Sequence, residues 1–456
     1  MSDAKNPPTP LDDAQPWFRQ MTRYHWFVFI VAALGWLFDT MDQQLFTLTR
    51  HPAMSELIST PDQKAAPDQV KYYGGLATSI FIIGWAMGGL IFGMLGDRFG
   101  RARMMIVTIL TYSIFTGISS LSTSFWDFAL WRFLTGLGVG GEFAVGVALI
   151  AETLPEKARS AALGWLQTLT TVGNVTAAFI MVGIGPTSKI QLFGSEWTGW
   201  RVMFLIGTVP ALLALLIRWR LKEPERWTAV AGKEQVKKQL GSYRTIFSDP
   251  KLKRHALIGL TMAVAGVIGL WGVAFFIFDF VGVLYAEGRT RGEINDLKFA
   301  TALMLNVGAF FGMWAFSQVT RRLGRKRAFA IFFVIAMISI ATTFLLLNEV
   351  WHIYVLIPFM GFGILSLFAG YAIYFPELFP TSVRSTGVSF CYNVGRFIAA
   401  IGPFTLGALG AIVFSEKVYG NINSWRYSGA SMSLFLLIGL IALRYAPETK
   451  DQPLPE

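Results

Sequence analysis

The run Gly93-Met-Leu-Gly96-Asp97-Arg98-Phe-Gly100-Arg101-Ala-Arg103 closes one long apolar stretch and opens the next. Gly96 and Gly100 permit a tight turn, Asp97 can face the amino-terminal end of a neighbouring helix or an Arg, and the remaining Arg side chains stay at the level of lipid headgroups. Moved along the chain by 224 positions, Gly84, Gly88, Arg98, Gly100, Arg101 and Arg103 fall on Gly308, Gly312, Arg322, Gly324, Arg325 and Arg327. A shift of 225 carries Gly136, Gly138, Glu152, Pro155, Arg159 and Ser160 onto Gly361, Gly363, Glu377, Pro380, Arg384 and Ser385. The chain therefore reads as an internal duplication. Arg321 stands where the repeat would put a second Asp97.

Around this run the composition is that of a chain in lipid. Hydrophobic residues make up 54% and charged residues 15%, against about a quarter charged in soluble domains. Apolar runs predict all-α architecture with twelve crossings near 25–47, 75–95, 104–122, 127–150, 161–184, 199–220, 256–285, 299–319, 328–347, 351–375, 386–413 and 428–446, each about the ~20 residues a bilayer requires. The boundaries expected from them are a polar segment 1–24, a six-helix bundle 25–220, a basic linker 221–255, a second six-helix bundle 256–446 and a tail 447–456. The first 23 residues carry no cleavage-site pattern, so the first helix reads as a retained anchor.

The net charge of +11 is distributed by side. Loops after even-numbered helices hold Arg98, Arg101 and Arg103 or Arg321, Arg322, Arg325, Lys326 and Arg327, whereas loop 48–74 balances Arg50, Lys64 and Lys71 against Glu56, Asp62 and Asp68. Positive-inside bias predicts both termini in the cytoplasm. Between Arg218 and Arg254 eleven Lys or Arg face four Asp or Glu; beside a membrane this linker reads as a topology signal and headgroup contact, not a nucleic-acid site. One cysteine, Cys391, leaves no disulfide framework or cysteine metal cluster within the chain. No nucleophile–base set, metal-ligand spacing or nucleotide motif is present, so neither enzyme, metal nor cofactor is expected.

The run at 93–103 resembles the signature of the major facilitator superfamily, a resemblance that covers essentially the whole chain once the repeat is counted. It implies two six-helix halves rocking about a central cavity, monomeric by default. It further implies a conformational latch at Gly96, Asp97, Arg98, Gly100 and Arg101 that does not touch substrate. Arg132-Phe-Leu-Thr-Gly136-Leu-Gly138-Val-Gly140-Gly141-Glu142, Glu152-Thr-Leu-Pro155, Glu377-Leu-Phe-Pro380 and Pro447-Glu448-Thr449-Lys450 resemble the sugar-porter and organic-acid symporter branch. That likeness implies that Glu152, Arg159, Glu377 and Arg384 form ion-pair networks holding the outward-open state.

Two carboxylates, Asp39 and Asp42, lie three residues apart and hence on one face inside the first apolar helix, where charge is costly enough to demand a reason. They resemble the paired Asp of the aromatic-acid and sialate proton symporters, which implies a role in proton coupling, although Thr40-Met41 replaces the Gly-Tyr or Gly-Phe usual between them. At a rise of about 1.5 Å per residue, Asp42 reaches roughly the same depth as Arg132 of the fourth helix, and Glu142 lies deeper. These four are the proton-coupling candidates, with helix-locking ion pairs as the alternative reading. Arg396, in Tyr392-Asn393-Val394-Gly395-Arg396, is a permanent cation near the expected cavity, suited to a carboxylate ligand or to an internal partner. Gln43, Gln167, Asn174, Asn306 and Asn393 are amides within spans, and Trp271 can stack on a ring; they complete the substrate-binding candidates, helix-to-helix bonds being the competing reading for each amide.

The expectation is proton-coupled symport of a small organic anion such as a monocarboxylate, aromatic acid or sugar acid. The alternatives are a neutral-sugar symporter or uniporter and a transporter-shaped receptor. Compact loops and short tails fit a bacterial inner membrane.

Overall fold

The computed structural model describes residues 16–59, 66–192, 194–212, 217, 220–233, 239–274, 276–399 and 409–455. Among these, ten helices are long and apolar enough to cross a membrane. They are α1 (Arg23–Leu57), α2 (Pro67–Phe99), α3 (Arg101–Ser119), α4 (Phe125–Thr153), α5 (Glu156–Ile184), α7 (beginning as Pro250–Gly269), α8 (Arg291–Leu323), α9 (Arg325–Leu346), α10 (Ile353–Leu378) and α12 (Asn421–Tyr445). The sixth span, α6, is described over Gly199–Leu212. The eleventh, α11, is built of Arg384–Ser389, a π turn Phe390–Val394 and Gly395–Ala399. The predicted continuation of α11 through 400–408 and part of the basic linker, 234–238, lie outside the described residues. This is the twelve-helix, two-half fold that the sequence predicts.

Several helices outrun their apolar stretches. α1 continues to Leu57 and α2 begins at Pro67, because helical hydrogen bonds persist beyond the hydrocarbon whereas hydropathy sees only the lipid-length portion. The α5–α6 connection also carries a short antiparallel hairpin, Lys189–Leu192 with Ser195–Thr198, in register Lys189↔Thr198. Apolar periodicity does not signal so short an element.

The duplicated glycines set the helix spacing within each half. A Cβ on Gly84 would come within 2.2 Å of the Phe133 carbonyl oxygen, and one on Gly308 within 1.9 Å of that of Pro358. α2 therefore lies directly on α4, and α8 on α10, with small residues replacing the apolar driving force that lipid removes. At the turn following each of α2 and α8, Gly100 and Gly324 adopt φ of 111° and 89°, a region open to glycine and strained for other residues.

The halves meet along two seams. In one, Gly93 of α2 packs on Ser389 of α11; in the other, Gly164 of α5 packs on Ser317 of α8. The end of the bundle carrying Arg101 and Arg325, termed here the basic face, also holds the described start and end of the chain: the Tyr24 hydroxyl accepts from the Lys222 amide, and Arg384 donates to the Pro455 carbonyl.

Candidate functional site

α1 brings its two carboxylates to different surroundings. Asp42 lies 3.6 Å from Arg132 and accepts from the Thr116 hydroxyl at 2.8 Å, all three fully buried. Arg132 further donates to Ser119 and Thr135 and lies over the Phe204 ring at 4.6 Å. A buried cation thus has hydroxyls, a carboxylate and an aromatic face in place of water, as a low-dielectric site requires.

Asp39 and Glu142 have no comparable shell. Both are buried, and among the described residues neither carboxylate accepts a well-formed hydrogen bond. Glu142 is pressed against Gly35, where a Cβ would meet its carboxylate oxygen at 2.1 Å. Asp39 lies within electrostatic reach of Glu142, Asp42 and Arg396. Such groups are costly unless they are neutralised or face a ligand.

Arg396 approaches this cluster from the other half. Its guanidinium lies 3.7 Å from the Trp85 ring centre and 4.2 Å from that of Tyr392, and it donates to the Asn393 amide oxygen at 2.9 Å. Asn393 in turn bonds Ser389, at the point where α2 approaches closely enough for a Cβ on Gly89 to strike the amide. No carboxylate lies within ion-pair distance of Arg396 among the described residues. The aromatic faces hold the fork in place and leave its carboxylate-binding capacity available.

The other amides differ among themselves. Gln167 has both ends occupied, accepting from Trp36 Nε1 at 2.8 Å and donating to the Phe368 carbonyl at 3.3 Å, so it ties α1, α5 and α10 together. Asn174 donates to Asn306 at 3.0 Å across the α5–α8 seam. Gln43, one turn beyond Asp39, is half-buried with its amide nitrogen unbonded among the described residues. Trp271 falls in the π turn Leu270–Ala274, and its side chain lies outside the described residues.

An aromatic wall is the part that sequence reasoning missed. The Phe143 ring lies 4.9 Å from Trp36 and 4.4 Å from Tyr392, and Phe368 closes on Tyr392 edge-to-face. Trp36, Phe143 and Tyr392 stand close in sequence to Asp39, Glu142 and Arg396, but that adjacency does not by itself separate a ring facing the site from one facing lipid.

At the basic face, Asp97 accepts from the Ser385 amide (3.0 Å), the Thr386 amide (2.8 Å) and the Thr386 hydroxyl (2.5 Å), while Arg101 approaches it at 2.8 Å. It thereby caps the first turn of α11, where orphan N–H groups and the helix dipole favour a carboxylate. Arg101 of the first half and Arg384 of the second both reach Glu152, at 2.9 and 2.8 Å. Glu377 is held by Arg325 at 2.7 Å and by the Thr449 hydroxyl. Arg159 departs from the expected network. It is buried but forms no ion pair among the described residues, whereas Glu377, the acid that the repeat would assign to it, is held by Arg325. Gly96 packs on Val145 and Ser385, whereas Arg98 is exposed beside Phe99 and does not join the network among the described residues.

The sequence model of one family, described as Major Facilitator Superfamily, matches residues 26–403. The chain belongs to that superfamily. A Haemophilus influenzae protein named as a putative metabolite transport protein is 28% identical over 86% of this chain and 90% of its own. The cis,cis-muconate transport protein of Acinetobacter baylyi is 30% identical over 84% and 86%. Among solved structures, the proton:xylose symporter XylE bound to 6-bromo-6-deoxy-D-glucose superimposes with a TM-score of 0.73 at 19% identity, covering 94% of this chain and 98% of that one. The protein is thus an integral membrane transporter of the major facilitator superfamily and not an enzyme.

Proposed function

We propose that this transporter moves a small organic anion together with a proton, by alternating access between its two halves, across a bacterial inner membrane with both termini in the cytoplasm. The observation that carries the reading is Arg396: buried between the halves, oriented by Trp85 and Tyr392, and without a carboxylate at ion-pair distance among the described residues. The aromatic rings of Trp36, Phe143 and Tyr392 suit a flat unsaturated or ring-bearing acid. Relatives named for muconate and, at 27% identity, for sialic acid carry carboxylates, which supports the anion over a neutral sugar.

Coupling follows from charge placement. An anion on Arg396 would bring a second negative charge beside Asp39, and a proton on Asp39 removes that Coulomb cost, so anion and proton each favour the other's binding. Asp42, held by Arg132 and Thr116, gives a second site whose charge changes when the pair opens. Asp97 and Glu152, bridging the halves at the basic face, bias the equilibrium between rocking states.

The test is proton movement in proteoliposomes with an internal pH dye, comparing cis,cis-muconate, benzoate and xylose against protein-free vesicles. Acidification driven by a carboxylate and lost in Asp39→Asn supports the proposal. Labelled carboxylate entering without a pH change would remove proton coupling. A response to xylose alone would make the substrate a neutral sugar.

A further inference from the structure

At the basic face, away from the central site, α7 and α12 leave between them an open groove of about 590 Å³ on the outside of the bundle. Its walls are apolar: Leu257, two turns into α7, is 46% exposed, and Ile438 and Ile441 of α12 are 38% and 65% exposed. Its rim is cationic. Lys253 and Arg254, one turn into α7, border the mouth opposite Tyr445, the last residue of α12. Arg254 donates across the mouth to the Tyr445 carbonyl at 3.4 Å, which holds that guanidinium over the groove. Asp249, the nearest acid in sequence, is spent on the helix start, its carboxylate accepting from the Lys251 and Leu252 amides at 2.7 and 3.1 Å.

We propose that this groove is a binding site for one anionic phospholipid, its phosphate on Lys253 and Arg254 and an acyl chain lying along Leu257, Ile438 and Ile441. Charge complementarity selects the occupant. Apolar walls alone cannot, because an acyl chain gains no hydrophobic energy by leaving other lipid, so preference must come from the headgroup. Depth is consistent: Ile438 lies seven residues before Tyr445, roughly 10 Å inward along the helix, a span that an acyl segment of several methylenes fills. A zwitterionic lipid would bring its own cation to a mouth that already holds two.

The experiment is native mass spectrometry of the purified full-length protein, doped with equal amounts of phosphatidylglycerol and phosphatidylcholine of the same acyl composition. Phosphatidylglycerol should be retained preferentially. The double change Lys253→Gln/Arg254→Gln should cut its retention by about tenfold, in keeping with the strength of basic contacts at a membrane surface, while phosphatidylcholine retention stays the same. Leu257→Trp, which fills the groove and leaves the charges in place, should also lower phosphatidylglycerol retention. Arg103→Gln/Arg327→Gln removes two exposed basic residues of the same face and should change nothing. Equal retention of both lipids overturns the site. So does a preference that survives the Lys253/Arg254 change, or one that falls as far with the Arg103/Arg327 pair.

Discussion

At the shifts that superimpose the two halves, Asp39 and Asp42 fall on Ala263 and Gly266, Arg132 and Glu142 fall on Ile357 and Leu367, and Arg396 falls on Thr171. The glycines that set helix spacing are duplicated, and so are the seam contacts, Gly93 with Ser389 and Ser317 with Gly164. Packing positions, and the buried ion pairs of the basic face, are thus common to both halves, whereas the charges of the central site belong to one or the other. In the proposed mechanism the first half carries protons and the second receives the anion, and the site exists only where they meet. The largest expected effect tests this division at its most buried pair. Arg132→Ala leaves Asp42 uncompensated and should lower thermal stability in detergent by about 3–5 kcal/mol, together with loss of uptake. Asp42→Asn/Arg132→Ala should recover most of the stability and none of the transport. Strictly additive single and double changes would mean that the two side chains are not energetically coupled.

The second test moves to the other half. Arg396→Lys keeps a charge but loses the planar fork held between Trp85 and Tyr392. The KM for the carboxylate should rise about tenfold, the equivalent of ~1.4 kcal/mol, with membrane abundance unchanged. Thr171→Ala, at the equivalent position of the first half, should leave the KM within twofold. Equal effects at both positions would end the assignment of the anion to α11. Uptake kinetics in cells of matched expression provide the measurement.

How much of this was legible in sequence depends on which force fixes the feature. Glycines such as Gly84 and Gly308 could be read because close backbone approach permits no other residue, and charges such as Asp42 and Arg132 because lipid makes them conspicuous; a rise of 1.5 Å per residue then put them at one depth. The aromatic wall was not legible, since Trp and Phe within spans serve equally against lipid, as exposed Trp126 and Phe179 do. Nor was the internal role of Gln167, whose two partners lie on α1 and α10. That Arg159 forms no ion pair among the described residues was hidden as well, because the repeat puts it opposite Glu377 just as Arg384 stands opposite Glu152.

At the basic face the halves differ again. Asp97 caps α11 through three hydrogen bonds, whereas its counterpart Arg321 has no acceptor atom to offer the start of α5 and donates to Gln318 of its own helix. One seam is therefore capped, and the other relies on packing and on Asn174 with Asn306. Arg321→Asp should supply the missing cap, adding about 1 kcal/mol to the closed arrangement and slowing transport several-fold. Asp97→Asn should do the reverse, with cysteines engineered into the α2–α11 seam becoming more reactive from the basic face. If Arg321→Asp instead speeds transport, the asymmetry does not limit the rate.

The smallest effect comes where the halves agree. Glu223 accepts from the Ala102 and Arg103 amides at the start of α3, and Glu448, 225 positions on, accepts from the Arg325 and Lys326 amides at the start of α9. Burial pushes the Glu448 carboxyl pKa up, but backbone N–H groups of Arg325, Lys450, Lys326 and Thr449 outweigh it and hold the pKa below its usual value. A carboxyl whose folded pKa is depressed contributes stability above its unfolded pKa, and that contribution is lost as pH falls through the folded one. Glu448→Gln should therefore cost about 0.5–1 kcal/mol at pH 7, the range of a carboxylate at an exposed helix start. The difference from wild type should shrink as thermal scans are taken below pH of about 4.3, the ordinary Glu value. A difference that stays constant down to acid pH would show that Glu448 acts through shape and hydrogen bonding alone, and that the repeated acid at both turns is there for the fold of the turn and not for its charge.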